Sequence, residues 1–176
     1  MSRTLRYVVI GALATILCGA WIAVGGASGR PRNPAWLTAR PYAHRGYHHD
    51  AQHPENSLAA FLAAAEAGLG VELDVRLTSD GQLVVFHDGS LERMTGDRRQ
   101  VADVDLSDLR RLRLLGSDER VPTLREALDA VGGRVPLLIE IKSRGHAGLL
   151  EERVAEELSR YAWRYHVGLA CSPCSS

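Results

Sequence analysis

The chain has 176 residues, 45% hydrophobic and 24% charged, a size and composition that fit one globular domain and argue against intrinsic disorder. Acidic and basic residues balance at 21 each, which argues against the basic face of a nucleic-acid binder. Three cysteines are too few for the disulfide framework of a small secreted domain, and among the 21 basic residues only Lys142 is a lysine.

Arg3 and Arg6 precede a run without charge from Tyr7 to Gly29. A bilayer core of about 30 Å needs roughly 20 helical residues, so this run is long enough to span one, with its short basic end cytoplasmic. Residues 1–29 therefore predict a transmembrane anchor or, through the small residues Gly25-Gly26-Ala27, a cleaved signal peptide. Either would carry the remainder out of the cytoplasm, leaving it on the cell membrane or secreted. Residues 30–41, with Pro31, Pro34 and Pro41, predict a stiff linker, and folded material is expected from Tyr42.

Pro54-Glu55-Asn56-Ser57 reads as a helix start with Asn56 or Ser57 as N-cap. The helix runs from Leu58 to Ala67 and stops at Gly68, with Leu58, Phe61, Leu62 and Ala65 on one face. Gly70 to Leu77 alternates strictly, so Glu72, Asp74 and Arg76 project from the same side of a strand. Ser79-Asp80-Gly81-Gln82 is turn chemistry, and Leu83 to Phe86 is a short apolar strand running into His87-Asp88.

Leucines every three residues from Asp105 to Leu115 predict a short amphipathic helix. Pro122 to Leu128 predicts another, with Thr123 and Glu126 as a capping box. Val135 to Lys142 is a strand apolar enough for burial on both faces, Leu149 to Tyr161 a charged helix, and His166 to Ala170 the start of a further strand. Strands alternating with helices imply an α/β fold with a parallel sheet and right-handed crossovers.

Polar residues gather at or just past strand ends: His44-Arg45-Gly46, Glu72 with Asp74, His87-Asp88, and Glu140 with Lys142. In parallel α/β folds the C-terminal edge of the sheet is where sites form. Alone, a strand Glu-x-Asp or a His-Asp at a strand end is commonplace. Glu140 differs, because a carboxylate in an otherwise apolar strand is costly to bury without a partner. Together, three carboxylates suit a hard cation, two histidines suit proton transfer near neutral pH, and an Arg with a Lys suits a phosphate. His48, His49 and His53 with Asp50 form a second cluster, whose spacing is irregular for a soft-metal site. Cys171-Ser172-Pro173-Cys174 has C-x-x-C spacing but lacks a second ligand pair, and reads as a fortuitous tail.

In order, Ala43-His44-Arg45-Gly46, Pro54-Glu55-Asn56-Ser57, Glu72-Leu73-Asp74-Val75, Val84-Val85-Phe86-His87-Asp88, Pro122-Thr123-Leu124 and Ile139-Glu140-Ile141-Lys142 resemble the glycerophosphodiester phosphodiesterase family. The resemblance implies a (β/α)8 TIM barrel of the phosphatidylinositol-phospholipase-C-like type, with Mg²⁺ or Ca²⁺ in its mouth. By matched position it implies His44 and His87 as the acid/base pair and Glu72, Asp74 and Glu140 as metal ligands. Arg45 and Lys142 would hold the substrate phosphate, and Glu55 would border the metal.

The implied reaction cleaves a small-molecule glycerophosphodiester to sn-glycerol 3-phosphate and an alcohol, with no nucleic-acid partner and a membrane contact only through the N-terminal segment. Such barrels take about 250 residues, whereas 135 follow residue 41 (176 − 41). The expectation is therefore a partial barrel over residues 42–170, about the first half, entering a strand near the fifth of eight, with a divergent tail at 171–176. A phospholipase-D-like lipid phosphodiesterase and an inactive truncated fragment or binding module are the alternatives.

Overall fold

A computed structural model describes residues 35–142, 148–160 and 167–171. Its elements are α1 (Ala35–Thr38), β1 (Tyr42–Ala43), α2 (Leu58–Glu66), β2 (Gly70–Leu77), β3 (Leu83–Val85), α3 (Glu92–Thr95), α4 (Leu106–Leu109), α5 (Leu124–Val131), β4 (Leu137–Ile141), α6 (Leu149–Ser159) and β5 (Val167–Cys171). One sheet holds all five strands. β1, β2, β4 and β5 lie side by side in parallel, and β3 pairs antiparallel with the end of β2.

That antiparallel strand corrects the expectation of a wholly parallel series. A parallel neighbour needs a crossover of a dozen or more residues, and Thr78 to Gln82 is far too short for one. Those residues close a hairpin instead: the Thr78 amide donates to the Gln82 carbonyl, and the Gln82 amide donates to Thr78 Oγ1 at 2.9 Å. β5 is consequently the fourth parallel strand and the fifth only in chain order.

The helices that pack on the sheet follow their sequence signals. Ser57 caps α2 by accepting the Ala60 amide at 3.1 Å. Thr123 and Glu126 make the reciprocal capping box of α5, a device worth about 1 kcal/mol. The α2 face that is buried is Ala60, Phe61 and Ala64, whereas Leu62 is among the exposed large apolar residues, contrary to expectation. Small alanines let this helix lie close, and Gly46 uses that closeness. At φ 83° it occupies the left-handed region, and a Cβ there would meet Ala60 Cβ at 2.8 Å.

Between Asp105 and Leu115 the expected helix is broken. Only Leu106–Leu109 is helical, and Leu115 is left-handed (φ 51°) within a 3₁₀ turn over Leu114–Gly116. A leucine every third residue suits tight turns as well as a helix. The segment is pinned by its own core, with Val84, Phe86, Leu91, Met94, Val101, Leu109, Leu114 and Val121 packed together apart from the main cluster. The larger cluster joins Val71, Leu73, Val75, Leu137, Ile139 and Ile141 of the sheet to Phe61, Leu124, Leu128 and Val154 of the helices.

β4 was expected to be buried on both faces, but its burial alternates, with Leu138 and Glu140 half-exposed. Register pairs Glu72 with Leu138 and Asp74 with Glu140, so these four share the face opposite the core.

Residues 1–29, expected as an anchor or signal, and 30–34 of the expected linker lie outside the described residues, as does most of the 171–176 tail. Ala35–Thr38, also within the expected linker, is one helical turn. The expected location on the cell membrane or outside the cell is corrected: among the described residues no helix is long and apolar enough to cross a membrane.

Candidate active site

The site stands on the sheet face bearing Glu72, Asp74 and Glu140. Strand period places the first two side by side on β2, and parallel register brings Glu140 opposite Asp74. One oxygen from each lies within 4.8 Å of the others. Asp74 is fully buried and Glu72 nearly so. Burial foremost, then the nearby Asp74 and Glu140 charges, push the Glu72 carboxyl above its ordinary value, although the Arg45 amide donates to it.

Two short segments aim donors at these carboxylates from left-handed backbone. Arg45 (φ 57°) and Asn56 (φ 57°) both occupy a region that non-glycine residues seldom visit. They are joined by the Asn56 amide donating to the Arg45 carbonyl at 2.9 Å. That geometry turns the Arg45 amide onto Glu72 Oε2 at 2.8 Å and Asn56 Nδ2 onto Asp74 Oδ2 at 2.9 Å. The Arg45 guanidinium reaches Glu55 at 3.1 Å and lies 3.5 Å from Asp74 Oδ2. Strain in two linked residues, both serving one cluster, is the pattern of a pre-organised site.

Lys142, at the end of β4, places Nζ 2.8 Å from Glu140 and 3.2 Å from Asp74 Oδ1. Burial alone would lower its pKa, but the Glu140 and Asp74 carboxylates outweigh that and hold the ammonium above its usual value. Asp74 Oδ1 is buried, and its one close cationic neighbour is Lys142 Nζ at 3.2 Å. A buried carboxylate oxygen held only by an ammonium, among three converging carboxylates, fits an oxygen-liganded divalent cation.

His87 sits just past β3, and three ties fix it. Arg76 of β2 donates to its backbone carbonyl through Nε (2.9 Å) and Nη2 (2.5 Å). Its Nδ1 lies 2.7 Å from Asp88 Oδ1. The Arg93 guanidinium first, with His87, holds the Asp88 carboxyl down at about 2 despite its partial burial. An ionised carboxylate only accepts, so His87 Nδ1 carries the proton and Nε2 is left free to move one.

Arg93 in turn bridges Asp88 (2.6 Å) and Glu55 (2.6 Å). Burial would raise Glu55, but Arg93 and Arg45 outweigh it and hold the carboxyl below its ordinary value. His44, exposed beside Arg45, is near enough for its charge to act on Glu72.

The structure thus brings Arg45, Glu55, Glu72, Asp74, Glu140 and Lys142 into one cluster linked through Arg93 to His87. Sequence reasoning passed over Asn56, read only as a cap, and Arg93, whose position carries no local signal. The other potential ligand group among the described residues is His49, Asp50 and His53.

The sequence profile of the Glycerophosphoryl diester phosphodiesterase family matches residues 44–170. The chain belongs to that family. It is 36% identical over 140 residues to glycerophosphodiester phosphodiesterase 1 of Rattus norvegicus, covering 74% of this chain and 41% of the relative. It is 38% identical over 141 residues to a glycerophosphodiester phosphodiesterase of Caldanaerobacter subterraneus, covering 71% and 54%.

Among solved structures, the Thermotoga maritima glycerophosphodiester phosphodiesterase matches with a TM-score of 0.62 at 37% identity, over 74% of this chain and 52% of that one. An Oleispira antarctica phosphodiesterase solved with its product sn-glycerol-3-phosphate matches with a TM-score of 0.62 at 31% identity, over 77% and 58%. The chain spans about half the length of these relatives. As a glycerophosphoryl diester phosphodiesterase family member, it has an α/β fold whose parallel sheet matches about half of the TIM-barrel structures it resembles.

Proposed function

We propose that this face, as the first half of a (β/α)8 barrel mouth, hydrolyses glycerophosphodiesters to sn-glycerol 3-phosphate and an alcohol. The observation that carries the reading is the convergence of the buried Glu72 and Asp74 with Glu140, beside the Arg45 and Lys142 cations. The three carboxylates are the residues that would hold Mg²⁺ or Ca²⁺, with Glu55 at the border. Such a cation, when bound, supplies positive charge against the phosphoryl oxygens.

The chain's own residues account for the remaining chemistry. The Arg45 guanidinium and the Lys142 ammonium, both cationic at neutral pH, orient the phosphate and offset charge as it builds on the equatorial oxygens. One histidine takes the proton from the glycerol 2-hydroxyl as its oxygen bonds to phosphorus. The other delivers a proton to the departing alcohol oxygen as the P–O bond breaks. The resulting cyclic phosphate is opened by water, with the two histidines exchanging roles. His87 suits either task because Asp88 fixes its tautomer and leaves Nε2 available. His44, exposed beside Arg45, is assigned the complementary transfer.

The test is release of glycerol 3-phosphate from glycerophosphocholine, with Mg²⁺ or Ca²⁺ supplied, by this chain and by a version extended to the length of its relatives. Absence of product from both overturns the reading.

A further inference from the structure

The loop between β1 and α2 holds a group that the phosphodiester chemistry does not use. His49, Asp50 and His53 each offer one ligand atom within 4.8 Å of the other two. Their arrangement is more specific than proximity. Asp50 Oδ1 accepts the amides of Gln52 and His53 at 2.8 and 2.9 Å and lies 2.9 Å from His53 Nδ1. Oδ2 has none of these partners and faces His49 Nε2 at 3.2 Å.

The other nitrogen of His49 decides what that contact is. Nδ1 lies 3.1 Å from the Tyr47 carbonyl, which only accepts, so Nδ1 carries the ring proton. In a neutral ring Nε2 is then a lone pair, aimed at the lone pairs of a carboxylate. That pairing is relieved by a proton on Nε2 or by a metal cation that both atoms ligate. A ring nitrogen held by a backbone carbonyl on its far side is also how metal-bound imidazoles are oriented.

The spacing agrees. A tetrahedral zinc about 2.0–2.1 Å from each ligand separates neighbouring ligand atoms by roughly 3.3 Å, close to the 3.2 Å between His49 Nε2 and Asp50 Oδ2. The His49 and His53 rings stack with centroids 4.7 Å apart, and the Tyr47 ring lies 5.2 Å from that of His49.

We propose that His49, Asp50 and His53 form a second divalent-cation site, selective for zinc-class ions and separate from the carboxylate cluster. Two imidazoles and one carboxylate favour a borderline-soft ion, whereas the oxygen-only set of Glu72, Asp74 and Glu140 favours a hard one. Three protein ligands leave the fourth zinc position to water or another small ligand. The site lies between Arg45 and Glu55 in this loop, so an ion held here would fix the span between two residues that hydrogen-bond to each other.

The experiment is equilibrium dialysis of the full chain against Zn²⁺ in excess Mg²⁺, with visible spectra of the Co²⁺-substituted protein as a report on tetrahedral nitrogen and oxygen ligation. One Zn²⁺ should be retained per chain. His49→Ala and His53→Ala should each weaken its affinity about tenfold or more, while His48→Ala and Glu72→Gln leave it within about twofold. The three ring variants lie on an exposed loop, and thermal melts confirm that each is folded. Failure of the wild-type chain to retain Zn²⁺ overturns the proposal. So does retention of full affinity in both His49→Ala and His53→Ala, or its loss in Glu72→Gln alone.

Discussion

The two sides of the candidate site are built by different means. On one side Glu72, Asp74 and Glu140 stand on adjacent strands, buried, with positions fixed by backbone register. On the other, Glu55, Asp88, Arg93 and His87 stand on loops and one short helical turn, and Arg93 is half-exposed to solvent. The strand side cannot relax, so its groups bear the full cost of burial, visible in the raised Glu72 carboxyl. The loop side is held by ion pairs that water screens. Substitutions on the strand side should therefore remove cation binding together with turnover, and those on the loop side should leave cation binding intact.

The sharpest test of that difference is Glu72→Gln or Asp74→Asn. Either should lower turnover by about three orders of magnitude, the several kcal/mol of charge stabilisation that a bound cation supplies. Calorimetric cation binding should disappear alongside activity. His87→Ala, which on the proposed roles removes a proton carrier but no ligand, should cost about 10²- to 10⁴-fold in kcat and leave cation affinity unchanged.

Asn56→Ala acts between the two sides. It strips Asp74 Oδ2 of its amide donor and forces a non-glycine, non-asparagine residue into left-handed backbone. A loss of about 1–3 kcal/mol in chemical denaturation is expected. Arg93→Ala should have the mildest effect on turnover, about tenfold, with partial rescue by Arg93→Lys.

Acid pH separates the sides again. Glu72 titrates above an ordinary glutamate, so cation affinity should fall on acidification through that raised value, by no more than about tenfold per pH unit for one proton displaced. In the metal-free chain the same shift contributes stability below the ordinary value that is lost as pH rises through the raised one. Asp88 has the opposite sign. Its contribution is present above an ordinary aspartate value of about 4 and is lost as pH falls toward about 2. In Arg93→Ala that acid loss should shrink, which an acid titration followed by circular dichroism would show.

The strand side was legible because period-2 alternation is a local signal. Gly70 to Leu77 declares which residues share a face, and Glu140 stands out among apolar neighbours. The capping box at Thr123 and Glu126 was equally plain. The loop side was not, because its partners are distant in sequence: Arg93 meets Glu55 across 38 positions, and Asn56 meets Asp74 across 18. The hairpin at Ser79 to Gln82 shows a subtler failure. Its residues are plain turn chemistry, but the direction of β3 is encoded in the length of the turn, which forbids a crossover. Between Asp105 and Leu115 the leucine spacing fitted two geometries, and a separate small core selected turns.

Lys142 has a practical consequence. It is the only lysine in the chain, so amine-directed chemistry can touch just two groups, the α-amino terminus and this Nζ. Reductive methylation with ¹³C-formaldehyde would install one side-chain resonance, lodged between Asp74 and Glu140. The chain thus carries a single-site spectroscopic reporter inside the carboxylate cluster, readable without altering a codon.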